Sequence, residues 1–239
     1  MNKDIERMIA DIKLEVAVTR DMIGRDRLSD RVMQAMREVP RDAFVPEHMK
    51  RFAFDNGPLP IGHDQTISQP YIVALMTDLL EPETDDVILE IGTGSGYQAA
   101  VLSRLVKQVY SLEIIPELNA SAARCLKALH YHNIDTRTGN GYQGWPEHAP
   151  YDGIIVTAAA THIPEALVEQ LKPGAKLVIP VGMPYFHQEL MLVEKDIKGK
   201  THTSSILAVA FVPMVDQQVA GAGNEKEQEQ GEGDELDRG

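Results

Sequence analysis

Two periods of apolar spacing divide the chain. Ile5, Ile9, Ile12 and Val16 recur at helical intervals, so residues 4–23 are expected to form an amphipathic helix. A second helix is predicted from Asp30 to Val39, with Ser29 as its cap, Leu28 and Met33 as a hydrophobic staple, and Pro40 after its end. The next stretch, DNGPLPIGHDQTISQP (Asp55–Pro70), has no sustained period. Gly57, Pro58, Pro60 and Gly62 exclude a continuous helix there, and it reads as turns. A helix from Pro70 to Leu80 closes this N-terminal section.

From Asp86 the pattern changes. Short, β-branched, almost continuously apolar runs at Val87–Ile91, Val109–Ile114, Thr136–Thr138, Gly153–Thr157 and Lys176–Val181 alternate with helical patterns at 97–106, 116–130 and 163–171. Such runs suit parallel strands covered on both faces. Gln188–Glu194 and Thr201–Val212 follow as two strands joined by Asp196–Lys200, a hairpin. The predicted fold is therefore α/β: a doubly wound, mostly parallel, seven-stranded Rossmann-like sheet with an antiparallel edge, plus an N-terminal helical section. The expected organisation is an N-terminal section at 1–85 packed on a core at 86–215, then a tail at 216–239. Ligands of such sheets bind beyond the carboxyl ends of the strands, where the winding direction switches.

Composition narrows the picture. The 239 residues carry a net charge of −13, against a nucleic-acid partner, whose phosphates require clustered Lys and Arg. A single cysteine permits no intrachain disulfide and suits a reducing compartment. Charges interrupt every apolar run of the N-terminus, so neither a signal peptide nor a membrane span is expected, and the cytoplasm is the expected location. From Asp216 onward there are eight acids, two bases and few large apolar residues. That tail is expected to be disordered, because it buries too little to offset its ordering entropy.

The chemistry starts at VILEIGTGSGY (Val87–Tyr97). Glu90 ends a strand run, and Gly92, Gly94 and Gly96 follow with Thr93 and Ser95 between them. Glycines there let a nucleoside approach the backbone. Glu113 ends the next strand, 21 residues after Gly92, where an acid can accept both hydroxyls of a ribose. The GxGxG spacing is one residue shorter than the dinucleotide fingerprint, whose extra position serves a pyrophosphate. S-adenosylmethionine has no phosphate, and a carboxylate such as Glu90 suits its cationic amino group. A tight turn without a ligand and a solvated strand-end acid are the plain alternatives.

Three further stretches are specific in combination: LPIGHDQTISQPYIVA (59–74), GNGYQGWPEHAPYDGI (139–154) and QLKPGAKLVIPVG (170–182). Together with the glycine loop they closely resemble the protein-L-isoaspartate O-methyltransferases, a family of class I S-adenosylmethionine-dependent methyltransferases. The resemblance covers roughly residues 28–215. It implies methyl transfer from S-adenosylmethionine to the α-carboxylate of isoaspartyl residues in age-damaged proteins and peptides, with repair continuing through a succinimide. It implies no metal, nucleic acid or membrane partner, and the chain is expected to act as a monomer.

Residue by residue, the resemblance makes Ser68 the active-site serine. A helix N-cap is the competing role for Ser68, but Pro70 favours the first helical position, which makes Gln69 the cap and leaves the Ser68 hydroxyl free. Thr66 is a second candidate donor, and Leu59, Pro60, Ile61 and Ile67 are expected to shape the peptide groove. Glu90, Gly92, Thr93, Gly94, Ser95, Gly96, Glu113, Asn140 and Gly141 are the candidate cofactor residues. Asn140 stands where the family usually has aspartate, expected to accept from the adenine amino group, and Asp64 replaces a usual glycine. His130 and His132 lack an obvious third ligand, Cys125 lies on an apolar helix face, and Trp145 suits packing as well as a site wall. Methylation of another carboxylate or small molecule, a non-catalytic cofactor-binding module and a nicotinamide oxidoreductase remain as alternatives.

Overall fold

The computed structural model describes residues 3–183 and 186–216. The acidic extension expected beyond Asp216 lies outside the described residues. Two helices open the chain, α1 (Lys3–Ile23) and α2 (Asp30–Glu38). The Ser29 side chain caps α2 by accepting from the Val32 amide, as its sequence predicts. Next come a short hairpin, β1 (Leu59–Gly62) and β2 (Gln65–Ile67), and helix α3 (Pro70–Leu80). The core follows as β3 (Val87–Ile91), α4 (Tyr97–Ser103), β4 (Gln108–Glu113), α5 (Pro116–Ala128), β5 (Ile134–Thr138), β6 (Tyr151–Val156), α6 (Glu165–Glu169), β7 (Leu171–Gly182), β8 (Gln188–Lys195) and β9 (Thr201–Val209).

The seven core strands lie in the order β5-β4-β3-β6-β7-β8-β9. The first five pair in parallel, and β8 and β9 add antiparallel. The chain winds outward from β3 through β4 to β5, then returns to the other side of β3 with β6. The switch point therefore falls at the carboxyl ends of β3, β4 and β6. Alternate strand residues serve opposite faces. Ile88, Val109, Ile155 and Val178 pack with the apolar residues of α1 to α4, whereas Leu89, Ile91, Leu112, Ile154 and Ile179 join Trp145, Tyr151 and Leu167. Both faces being covered explains the unbroken apolar runs. Among the described residues no helix is long and apolar enough to cross a membrane.

Several boundaries differ from their sequence expectation: β7 begins at Leu171 rather than Lys176, and β5 at Ile134 rather than Thr136. Helix α4 ends at Ser103 rather than 106, where the amides of Leu105 and Val106 both turn back to the Leu102 carbonyl. Helix α6 is a five-residue piece. Strand β9 stops at Val209 rather than 212, because the following residues leave the sheet edge for another partner. The Ala159 amide donates to the Val212 carbonyl, and the Met214 amide donates to the Ala159 carbonyl.

The β1–β2 hairpin was not visible in the sequence. Its turn puts His63 and Asp64 at φ 53° and 55°, the positive values that a two-residue hairpin turn requires and that Asn-Gly usually supplies. Asp64 thus occupies a backbone conformation made for glycine. Asp64→Gly is expected to stabilise the protein by about 1 kcal/mol, read as a higher urea midpoint at unchanged slope.

Candidate active site

The glycine loop after β3 is tied to the end of β4. The Leu112 carbonyl accepts from the amides of Gly92 (2.7 Å) and Thr93 (3.2 Å). Next along the chain, the Glu113 carboxylate accepts from the amides of Gly94 (2.7 Å) and Ile115 (3.0 Å). Gly92, Gly94 and Gly96 all have positive φ. Their environments differ, however. A Cβ on Gly92 would overlap Thr157 Oγ1, and one on Gly96 would press on Leu126 of α5 at 3.3 Å. At Gly94 the nearest atom would be Ile61 Cδ1, at 3.5 Å. Gly92 and Gly96 are therefore required by internal packing, and Gly94 alone of the three has room above it.

A cavity opens beside this loop at the switch point. Thr93, Gly94 and Ser95 line it on one side, Thr66, Ile67 and Ser68 on another, and Glu113, Gly141 and Thr157 on the remaining walls. Val212–Val215, the segment that leaves β9, also borders it. The only local signal for this last wall is Pro213, which has no amide to donate within a strand.

Ser68 sits at the entry to α3. Gln69 is the N-cap and Pro70 the first helical residue. The Tyr71 amide is served by Asn56 Oδ1, at 3.1 Å from a loop fifteen residues earlier. Among the described residues the Ser68 hydroxyl takes no part in this capping, and its carbonyl accepts from Arg41.

Several predicted residues lie off the cavity. Gly96, Leu59 and Pro60 do not border it. Ile61 reaches Gly94 from an adjoining groove with Phe44, Val45 and Leu118. Trp145 is buried against Tyr110 and under Arg137. Asn140 caps the turn of Gly141–Gln143, its Oδ1 accepting from the Tyr142 amide and its Nδ2 donating to Asp216 Oδ1, both at 2.9 Å. The amide explains the departure from aspartate, since a carboxylate at 140 would face Asp216 with no proton to donate.

Glu90 is fully buried beneath the loop and does not border the cavity. Its Oε2 accepts from Ser111 Oγ, which is 2.6 Å from Thr93 Oγ1, while among the described residues Oε1 has no partner in hydrogen-bond geometry. Burial pushes its pKa up to about 8, against the Ser111 hydrogen bond, and the Glu113 charge adds to the rise. A chain of three oxygens therefore runs from the cavity wall at Thr93 to a carboxyl that is largely protonated at neutral pH. Among the described residues no group of three His, Cys, Asp or Glu side chains is placed to hold a metal.

Comparison with known proteins decides the family. The family profile of the protein-L-isoaspartate(D-aspartate) O-methyltransferases matches residues 18–219. The chain belongs to the protein-L-isoaspartate(D-aspartate) O-methyltransferase family. It is 56% identical over 208 residues to protein-L-isoaspartate O-methyltransferase 2 of Syntrophobacter fumaroxidans, covering 87% of this chain and 84% of that one. Against the enzyme of the same name from Polaromonas sp. strain JS666 it is 54% identical, over 88% of this chain and all of the relative. A solved protein-L-isoaspartate O-methyltransferase superposes with a TM-score of 0.78 at 27% identity, spanning 89% of this chain and 66% of that one. A Plasmodium falciparum beta-aspartate methyltransferase, solved with S-adenosyl-L-homocysteine, gives 0.68 at 25% identity, over 85% and 96% of the two chains.

Within this family member, the buried acid makes a thermodynamic prediction. A folded-state pKa raised above the unfolded value gives Glu90 a relative contribution that is fully present below about 4.5 and is lost as pH climbs through about 8. Glu90→Gln keeps the shape of the protonated acid and removes that loss. In denaturant titrations, the variant should gain on the wild type steadily between pH 5 and 8, by on the order of 3 kcal/mol at pH 7. A difference independent of pH would contradict a buried, protonated Glu90.

Proposed function

We propose that this chain transfers the methyl group of S-adenosylmethionine to the free α-carboxylate of L-isoaspartyl residues in damaged proteins and peptides, which starts their return to aspartate through a succinimide. The supporting observation is one cavity bordered by both the glycine loop and the Thr66–Ser68 segment. The first wall suits the cofactor. A Cβ on Gly94 would meet Ile61 Cδ1 only at an ordinary contact distance of 3.5 Å, so the loop backbone is approachable there, and Glu113 is fixed at the loop with lone pairs left on both carboxylate oxygens. Thr93, Gly94, Ser95, Glu113 and Gly141 would hold the cofactor, and when bound it supplies an electrophilic methyl group.

The second wall is assigned to the acceptor. A free α-carboxyl ionises with a pKa of roughly 3.5, so that of an isoaspartyl residue is already an anion at neutral pH and needs no general base. The protein's task is then to align and desolvate this anion. In favourable intramolecular reactions, alignment of this kind contributes roughly 7–11 kcal/mol. Thr66, Ile67 and Ser68 all border the cavity, which supports a reading in which Ser68 donates to the carboxylate in exchange for water, Thr66 is a second hydroxyl and Ile67 excludes solvent. The apolar Ile61 groove next to Gly94 is assigned to flanking peptide. The chain is further read as a cytoplasmic monomer, its single cysteine, Cys125, suiting a reducing compartment.

Paired peptides differing only in an isoaspartyl or normal aspartyl linkage, incubated with methyl-labelled S-adenosylmethionine, provide the test. Base-labile label should enter the isoaspartyl peptide alone, and equal or absent labelling would overturn the assignment. Ser68→Ala is expected to lower kcat by about tenfold or more at little change in cofactor affinity, since it removes a donor used at the reacting anion. Glu113→Ala should chiefly weaken cofactor binding in calorimetry.

A further inference from the structure

Arg41 is the most unusual charged residue outside the cofactor loop. Its side chain is completely buried, and among the described residues no carboxylate pairs with it. Nε donates to the Ala53 carbonyl at 2.8 Å, and Nη2 donates to the Ser68 carbonyl at 2.7 Å. A longer contact of 3.5 Å reaches the Gly57 carbonyl. Among the described residues Nη1 has no acceptor in hydrogen-bond geometry, and the Tyr97 side chain is the guanidinium's polar neighbour, its ring centre 4.7 Å from the guanidinium carbon. Ser68 and Tyr97 both border the cavity.

Burial of an unpaired cation opposes folding, and arginine cannot escape by losing its proton. A neutral side chain of similar length could bridge some of these carbonyls without that penalty. What a neutral side chain cannot provide is a permanent positive charge immediately behind the wall assigned to the substrate anion. We propose that Arg41 is a positioning residue for the methyl acceptor. It fixes the backbone of Ser68 against the Ala53–Gly57 turn, and its uncompensated charge favours a carboxylate over a neutral group at that wall. The inference rests on the isoaspartyl reading above.

The test uses the intact chain loaded with S-adenosylhomocysteine and two peptides, one with the free isoaspartyl α-carboxylate and one with the same group as a carboxamide. Calorimetry on the wild type should show a clear preference for the carboxylate. Arg41→Gln should lose at least about tenfold in carboxylate affinity, with carboxamide affinity and S-adenosylhomocysteine affinity within about twofold of wild type. Arg41→Lys should keep the carboxylate preference but lower kcat, because an ammonium keeps the charge and loses the planar fork.

Equal wild-type affinity for the two peptides would overturn the proposal. So would a folded glutamine variant with the wild-type preference, or one in which both peptides and S-adenosylhomocysteine weaken together. Should the glutamine variant fail to fold, the lysine variant decides, and loss of its carboxylate preference would overturn the proposal. Failure of the isoaspartyl reading itself is separable: wild-type enzyme would then not distinguish isoaspartyl from aspartyl peptide.

Discussion

The tie between the glycine loop and the end of β4 is the constraint on which the site depends. One carbonyl and one carboxylate, those of Leu112 and Glu113, take the amides of Gly92, Thr93, Gly94 and Ile115. Two consecutive residues of one strand thereby set the path of the loop leaving its neighbour. The parallel register makes this possible, because Ile91 lies beside Leu112, so both strands end at the same level. Thr157 closes the other side, donating from its hydroxyl to the Gly92 carbonyl at 2.6 Å. The cavity floor is thus built from backbone held on both flanks, which favours a ligand needing close approach.

Two buried ionisable groups stand behind this floor, and their burial is resolved in opposite ways. Glu90 can take up a proton and become neutral, so it sits in the core beside Ser111 and the backbone of Ala99, with the oxygen chain running on to Thr93. Arg41 has no such escape and instead directs its donors to main-chain carbonyls. The result is an asymmetric interior. The carboxyl under the cofactor loop carries little charge at neutral pH, and the charge that persists lies behind Ser68, where the acceptor's anion is assigned. Burying ionisable groups opposes folding, which gives this region a reason in function rather than in stability.

The alternation of strand and helix from Asp86 onward was legible because parallel strands buried on both faces read as apolar runs, and Gly and Pro marked their ends. The Gln69–Pro70 helix entry was legible too, through the fixed φ of proline. The hairpin at 59–67 was hidden because His63-Asp64 is not a usual turn pair and the strands are only a few residues long. Arg41, in the polar run Pro40–Asp42, reads as a surface residue, since arginine is seldom buried. Glu90 adjoins the glycines, a position that suggests an acid facing a ligand. Period-two alternation sets it on the face of Ile88, under α4, and that pattern was present in the sequence. The wall from Val212 to Val215 is a long-range contact with Ala159, which no local pattern encodes.

The central claim is that one cavity seats two ligands on separate walls. Hydrogen exchange by mass spectrometry on the intact chain tests it most directly, first with S-adenosylhomocysteine and then with an isoaspartyl peptide added. The first ligand should slow exchange at 92–96 and 113–115, and the second should slow it further at 59–68. Protection at 59–68 by the cofactor product alone with none added by peptide, or no protection of the glycine loop, would contradict the account.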